Sequence, residues 1–361
     1  MNPYMQVFEA FENFMTARET NLQNITTESF LKNENFQALS SFIDENPGYS
    51  SKVMDDIILL LQKADVYKAC CGGLYLGILR EKGYDCGENG RLLDFFVKVC
   101  ERCKQLVDST SRCFSITYDE IVKSEFLYAE ADSVFALDRE NYKCFLGVME
   151  LIPSLLSFLA RSRALRDKLR ETDAPELCAL LESFNFQFGF IKLLLNMCEE
   201  EQVYVLSIPR KAGFLVTVKE LDNNFMFFWL LQKRLFESGF LETLGVTANS
   251  AESLSALFNY YTYKALNKEN GYDIFTVVDG VSQMVSDTFC WGEGNISEIP
   301  RLNGKAVILI DALTFNRTWE ETFIHPIHDV INPDLEIMRE LSEAEVSAII
   351  DEIHRKLDGR E

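Results

Sequence analysis

The chain has 361 residues, of which 47% are hydrophobic and 25% are charged. This composition is typical of a globular chain with one or two domains, and it excludes the collagen-like, low-complexity and disordered classes. The 56 acidic and 35 basic side chains give a net charge of −21. Because such a field repels phosphate backbones and anionic lipid, we expect neither a nucleic-acid nor a membrane partner.

The ten cysteines raise the question of a disulfide framework. The chain is long for a disulfide scaffold, and its first twelve residues carry acidic groups where a secretory signal would be positive. We therefore expect reduced thiols and a cytoplasmic protein. The longest apolar run, Cys144 to Ala160, is interrupted by Glu150 and Pro153 and is short for a bilayer span. It predicts a buried core helix.

The first 200 residues show apolar side chains at helical spacing throughout. Breakers such as Asn46-Pro47-Gly48 separate the apolar stretches, which together predict roughly seven to nine helices. One helix is predicted to start at Asp173, whose carboxylate would cap the first turn before Pro175. We interpret residues 1–200 as an all-helical region.

The sequence changes character near residue 203. Two β-branched and aromatic runs within residues 203–218 flank a Pro-Arg-Lys-Ala-Gly turn and predict a hairpin. Helices are predicted at 225–236 and 254–266, and strands at Tyr272 to Val278 and Ala306 to Ile310. This pattern predicts a smaller α+β region over residues 201–361.

The last helix has the clearest start signal in the chain. Ser342 and Glu345 have capping-box spacing, and an apolar stripe follows, which predicts a helix over 343–358. The predicted fold is therefore α+β and predominantly α, with the helical N-terminal region packed on the smaller C-terminal region.

The three histidines, His325, His328 and His354, restrict the catalytic and metal-binding alternatives. His325 and His328 are three residues apart, but Pro326 lies between them and no distant third ligand is identifiable. Cys100 and Cys103 have the spacing of half a zinc site, but the chain has no second Cys-x-x-Cys, so we interpret them as core thiols. We predict no metal and no cofactor.

One basic stretch, residues 161–170, stands out in this acidic chain. On a helix, Arg163, Arg166 and Arg170 share a face that could hold a phosphate or an acidic partner. The alternative is that these arginines pair with neighbouring carboxylates such as Asp167. Both interpretations remain open at this point.

Two segments, 203–231 and 291–323, carry a resemblance. Its residues are Asp222-Asn223-Asn224-Phe225, Trp291-Gly292-Glu293-Gly294, Ile299-Pro300, Gly304, Val307-Ile308-Leu309 and Arg317-Thr318-Trp319. In these the chain resembles a poorly characterised group of bacterial cytoplasmic proteins with no established activity. The resemblance implies a domain and a bacterial source but no chemistry.

Polar and aromatic residues on the C-terminal loops form the candidate site cluster. Its members are Trp291, Glu293, Asp311, Arg317, Trp319, His325, His328 and Asp329. An alternative is that the tryptophans pack and that Glu293 pairs with Arg317 to hold a loop.

The negative charge and the absence of a coherent catalytic set favour a non-enzymatic cytosolic protein that presents an acidic surface to another protein. A protective, immunity-type partner of a basic toxin or nuclease fits this charge. The alternative is an enzyme or small-ligand-binding protein with its site in the C-terminal region.

Overall fold

A computed structural model describes residues 2–87, 89–208, 210–238, 272–276, 290, 292, 294–312 and 326–357. The chain divides into two compact units, Met1–Leu195 and Asn196–Glu361. The division lies five residues from the predicted boundary at 200. The fold class is α+β and predominantly α, which confirms the prediction.

Unit 1 is all-helical in the residues described. Its helices are α1 Pro3–Thr16, α2 Thr27–Leu31, α3 Glu34–Glu45, α4 Ser50–Leu61, α5 Val66–Glu81, α6 Asn89–Phe114, α7 Tyr118–Lys123, α8 Phe126–Ala129, α9 Ala131–Leu137, α10 Arg139–Ala160, α11 Arg163–Arg170, α12 Ala174–Leu181 and α13 Gln187–Leu195. These thirteen helices exceed the seven to nine predicted, because several are shorter than three turns.

Backbone conformation explains the extra helix boundaries. Ser115 and Glu125 adopt left-handed backbone with φ of 53° and 50°, which side-chain-bearing residues rarely do. Glu125 thereby divides the apolar stretch 121–127 into α7 and α8 without a glycine or proline. Helix α12 begins where predicted, but Asp173 makes no side-chain cap, and Thr172 Oγ1 accepts the Ala174 N–H instead.

Helices α5 and α10 form the centre of unit 1. A Cβ added at Gly77 would lie 2.6 Å from the Ser154 Cα, and one added at Gly73 would lie 2.4 Å from Leu151 Cδ1. The two backbones therefore approach too closely for a larger side chain at Gly77, and at Gly73 the Leu151 side chain fills the space that a Cβ would need. Helix α10 continues through Pro153, as the predicted core helix over this apolar run requires.

Helix α10 is long and apolar enough to cross a membrane, and it is the one such helix among the residues described. Within its most apolar window, however, 72% of the residues are buried inside the protein. That burial is typical of a core helix, because a membrane-spanning helix would leave an apolar face for lipid.

Unit 2 contains a mixed sheet. Its strands are β1 Cys198–Ser207, β2 Ala212–Leu221, β3 Tyr272–Thr276, β4 Arg301–Leu302, β5 Lys305–Ala312 and β6 Asp334–Leu341, arranged as β3-β5-β1-β2-β6 with β4 paired to β5. The predicted hairpin is present, since β1 and β2 pair antiparallel from Cys198↔Leu221 to Ser207↔Ala212. Strand β1 pairs in parallel with β5, with Val203 opposite Ala306.

The two faces of the sheet pack against different helices. Alternation along β1 sends Val203 and Val205 into the apolar cluster of α14 (Asn224–Glu237). It sends Leu206 into a second cluster with Val346 of α15 (Glu343–Leu357). This period-two division explains why the central strands are apolar on both sides.

The capping box at the last helix is confirmed. Ser342 Oγ accepts the Glu345 N–H at 3.3 Å, and a Glu345 carboxylate oxygen accepts the Ser342 N–H at 2.9 Å. The predicted helix over 254–266 and residues 277–278 of the predicted strand lie outside the described residues. Strand β6 was not predicted, because four of the eight residues in its sequence Asp-Leu-Glu-Ile-Met-Arg-Glu-Leu are charged; four of the eight are exposed in the structure.

Candidate functional site

The structure describes only part of the predicted C-terminal cluster. His328 and Asp329 lie in the loop that precedes β6, and the backbone of Asp311 pairs with that of Asp273 in β3. The other predicted members lie outside the described residues: Trp291, Glu293, Arg317, Trp319 and His325. Among the residues that are described, no three His, Cys, Asp or Glu side chains are grouped to hold a metal ion.

The described part of this region centres on Asp222, a buried carboxyl at the junction of β2 and α14. Its Oδ2 accepts the Ile327 N–H at 2.7 Å, and its Oδ1 accepts a hydrogen bond from Asn223 Nδ2 at 2.8 Å. Burial raises the pKa of Asp222, although these two hydrogen bonds oppose the shift. Asp222 thus ties the His328 loop to the sheet.

A second loop is tied to the same junction. The Asn224 N–H donates to Gly294 O at 2.9 Å, and Asn295 Nδ2 donates to Asp222 O at 3.1 Å. A Cβ at Gly292 would lie 2.0 Å from the Phe225 ring. The segment of residues 222–224 is therefore bonded to two loops, one containing Ile327 and one containing Gly294 and Asn295. We call this segment the hub.

The imidazole of His328 accepts a hydrogen bond within its own loop. Its Nδ1 accepts the Val330 N–H at 3.2 Å, and its carbonyl accepts the Ile331 N–H at 3.0 Å. These bonds form a turn before β6. The third histidine, His354, lies partly buried on α15, at a distance in sequence from the hub.

The hub makes stability depend on pH in a definite direction. Because the folded protein holds the Asp222 proton more tightly than the unfolded chain does, stability falls as pH rises through the raised pKa. We expect Asp222→Asn to gain stability relative to the native protein as pH rises above about 4, the ordinary titration range of aspartate. Urea unfolding at several pH values measures this difference; Asp329→Asn, on an exposed loop residue, is the control. A difference that is constant or shrinks with pH would contradict the assignment.

Arg163, Arg166 and Arg170, the three arginines predicted to share a helix face, have separate roles in the structure. Arg166 is buried, and its Nη1 donates to the carbonyls of Leu159 and Ala160 at 2.5 and 3.3 Å, at the end of α10. Arg170 pairs with Asp167 at 2.6 Å, and Arg163 approaches the same carboxylate at 3.5 Å. These contacts correspond to the alternative in which the arginines pair with their surroundings.

Substitutions of Arg166 and Arg163 should differ in their effect on the free energy of unfolding. We expect Arg166→Met to cost about 2–3 kcal/mol, because two carbonyls lose a charged donor inside the protein. Arg163→Met should cost less than about 0.5 kcal/mol, because its ion pair is exposed. The free energy of unfolding in urea, followed by circular dichroism, checks both values. Equal costs would show that Arg166 is not the structural member of the set.

The cysteines are all described, and none forms a disulfide. Nine of them are buried, and Cys113 is exposed. Burial raises the pKa of Cys100 and Cys103 well above the ordinary thiol value. They are therefore neutral thiols that fill the core rather than thiolate ligands.

An acidic surface on unit 1 was not predicted as a site. We define the acidic segment as α7–α9, residues 118–137, which holds five acidic side chains and one basic side chain, Lys123. Lys123 approaches Asp119 at 3.8 Å, and Glu120 caps the start of α7. The remaining acidic residues are exposed and form no ion pair among the described residues: Glu125, Glu130 and Asp132.

Aromatic side chains accompany this charge. Tyr128 of α8 is 48% exposed, although its ring also contacts Phe145 at 5.1 Å. Phe114, at the end of α6, is exposed, and its ring lies 5.0 Å from Phe126 of α8. Glu125 and Glu130 therefore flank α8, the helix that carries Tyr128 and whose Phe126 contacts the Phe114 ring. The charge density of residues 118–137 was readable from the sequence, but the exposure of the rings was not.

Comparisons of the chain with protein-family models, with curated proteins and with solved structures gave no match.

Proposed function

We propose that this protein is a non-enzymatic cytoplasmic binding protein whose acidic segment docks a basic protein partner. The observation that carries the proposal is the group of exposed carboxylates, Glu125, Glu130 and Asp132, that lack a basic partner among the described residues. The three residues fall within eight positions of the sequence and carry the same charge. A cationic partner that binds there offsets their mutual repulsion.

The exposed rings narrow the class of partner. Tyr128 and Phe114 offer apolar contact beside the carboxylates, and aromatic anchors within a charged surround are common in protein interfaces. A basic segment with one apolar face, such as an amphipathic helix, satisfies both features. A protective partner of a basic toxin or nuclease belongs to this class.

None of the ten thiols forms a disulfide, which supports a reducing compartment such as the cytoplasm. The alternative of a catalytic or ligand site in unit 2 has one supporting observation, the buried carboxyl of Asp222 beside the His328 loop. The hydrogen bonds of Asp222 attach a loop to the sheet, which is a structural role. We therefore rank the catalytic or ligand-site alternative second.

The test uses a labelled lysine-rich amphipathic helical peptide and fluorescence anisotropy. The native protein should bind this peptide, and affinity should fall as salt rises. A triple variant, Glu125→Lys with Glu130→Lys and Asp132→Lys, should bind at least about tenfold more weakly.

The matched control places the same charge change elsewhere. Glu9, Glu45 and Glu336 are exposed and have no ion pair among the described residues, so lysine at all three also takes the net charge from −21 to −15 (three changes of two charges each). This control should retain nearly native affinity. Equal weakening in both triple variants, or no binding by the native protein, would refute docking at the acidic segment.

A further inference from the structure

A cavity of about 430 Å³ lies at the start of α5, between α1 and the residues around α2. Its apolar wall consists of Phe14, Ile25, Phe30 and Tyr67. The rings of Phe14 and Phe30 lie 5.5 Å apart, and Phe30 is buried. This wall can pack against one flat apolar ring.

A lysine ammonium lines the same cavity. Lys68 Nζ donates to Phe14 O at 2.9 Å and to Ala17 O at 2.7 Å, and it lies 4.5 Å from the centre of the Phe14 ring. An ammonium has three N–H donors, so the described residues supply acceptors for two of them. One N–H remains to donate to a ligand.

Burial lowers the pKa of Lys68, although the charges of Asp65 and Glu19 oppose the shift. The folded protein therefore removes part, but not all, of the hydration of this half-buried ammonium. A partly desolvated cation gains more from a new anionic acceptor than a fully exposed one does.

The two carboxylates beside Lys68 are already engaged. Asp65 Oδ2 binds Lys143 at 2.5 Å and accepts the Glu19 N–H at 3.1 Å, and its Oδ1 caps α5. Glu19 Oε1 accepts the N–H groups of Thr20 and Asn21, each at 2.9 Å. Among the described residues neither carboxylate forms an ion pair with Lys68, although both act on its charge at longer range. An anionic ligand can therefore be the direct partner of the ammonium.

We propose that this cavity binds a small aromatic carboxylate, with the ring against Phe14 and Tyr67 and the carboxylate on Lys68 Nζ. No residue of the acidic segment lines this cavity, so the proposed ligand site does not depend on the proposed protein docking.

The test compares two aromatic probes of similar size and opposite charge, phenylacetate and benzylamine, by ligand-observed NMR. Phenylacetate should bind the native protein with a dissociation constant on the order of 1 mM, and benzylamine at least about tenfold more weakly. Lys68→Met should weaken phenylacetate at least about tenfold. Lys82→Met, at an exposed lysine paired with Asp44, is the control and should change nothing.

A second variant tests ligand binding in the cavity if Lys68→Met does not fold. Asn24 is exposed and lines the cavity, so Asn24→Trp should block phenylacetate while thermal unfolding stays unchanged. Tighter binding of benzylamine than of phenylacetate would refute the proposal, as would phenylacetate affinity that is unaffected by both Asn24→Trp and Lys68→Met.

Discussion

Replacing Lys143 with methionine should cost about 3–5 kcal/mol of unfolding free energy. Lys143 and Asp65 are both fully buried, and their Nζ and Oδ2 atoms lie 2.5 Å apart. Removal of the ammonium leaves the Asp65 carboxylate inside unit 1 without its counter-charge, and a buried uncompensated charge is far more costly than a missing exposed pair. Urea unfolding followed by circular dichroism measures the loss.

Two further variants test that explanation. Lys104→Met breaks an exposed pair with Asp108 one helical turn away and should cost less than about 0.5 kcal/mol. Adding Asp65→Asn to Lys143→Met removes the stranded charge and should recover part of the loss. A double variant less stable than Lys143→Met alone would show that the cost arises from packing and not from charge.

Phe227→Ala should destabilise unit 2 by about 3–5 kcal/mol. The ring is fully buried in the apolar cluster between α14 and the sheet, and its removal leaves a cavity that the surrounding strands cannot fill. All three tryptophans of the chain, Trp229, Trp291 and Trp319, belong to unit 2. Urea unfolding followed by tryptophan fluorescence therefore reports this unit.

The control for this change is Met338→Ala in β6. Met338 is 50% exposed, so its truncation should cost less than about 1 kcal/mol. If the two substitutions cost the same, the cluster beneath α14 does not hold unit 2 together.

The sequence predicted those features that follow from short-range patterns. The hairpin over 203–218 and the Ser342–Glu345 capping box both depend on residues within one turn or one strand pair. It did not predict the break at Glu125, because nothing in the residue type announces left-handed backbone there. It also missed β6, whose pairing with β2 depends on a distant partner.

At the candidate sites, too, the features that depend on distant residues could not be predicted from the sequence. The five arginine and lysine charges near residue 166 were visible, but the burial of Arg166 at the end of α10 depends on helix packing. Lys143 stands at the edge of an apolar run, and its partner Asp65 lies 78 residues away. Long-range ion pairs of this kind have no local sequence pattern. The sequence therefore shows which residues are charged but not which residues pair in the fold.

The parallel pairing of β1 with β5 affects the order in which the chain can fold during synthesis. Unit 1 is contiguous and helical, so it can complete its structure while the ribosome is still making later residues. The Val203 edge of β1, by contrast, must wait for Ala306 to be translated. Nascent chains halted between these two residues should expose that strand edge and be the species most in need of a chaperone.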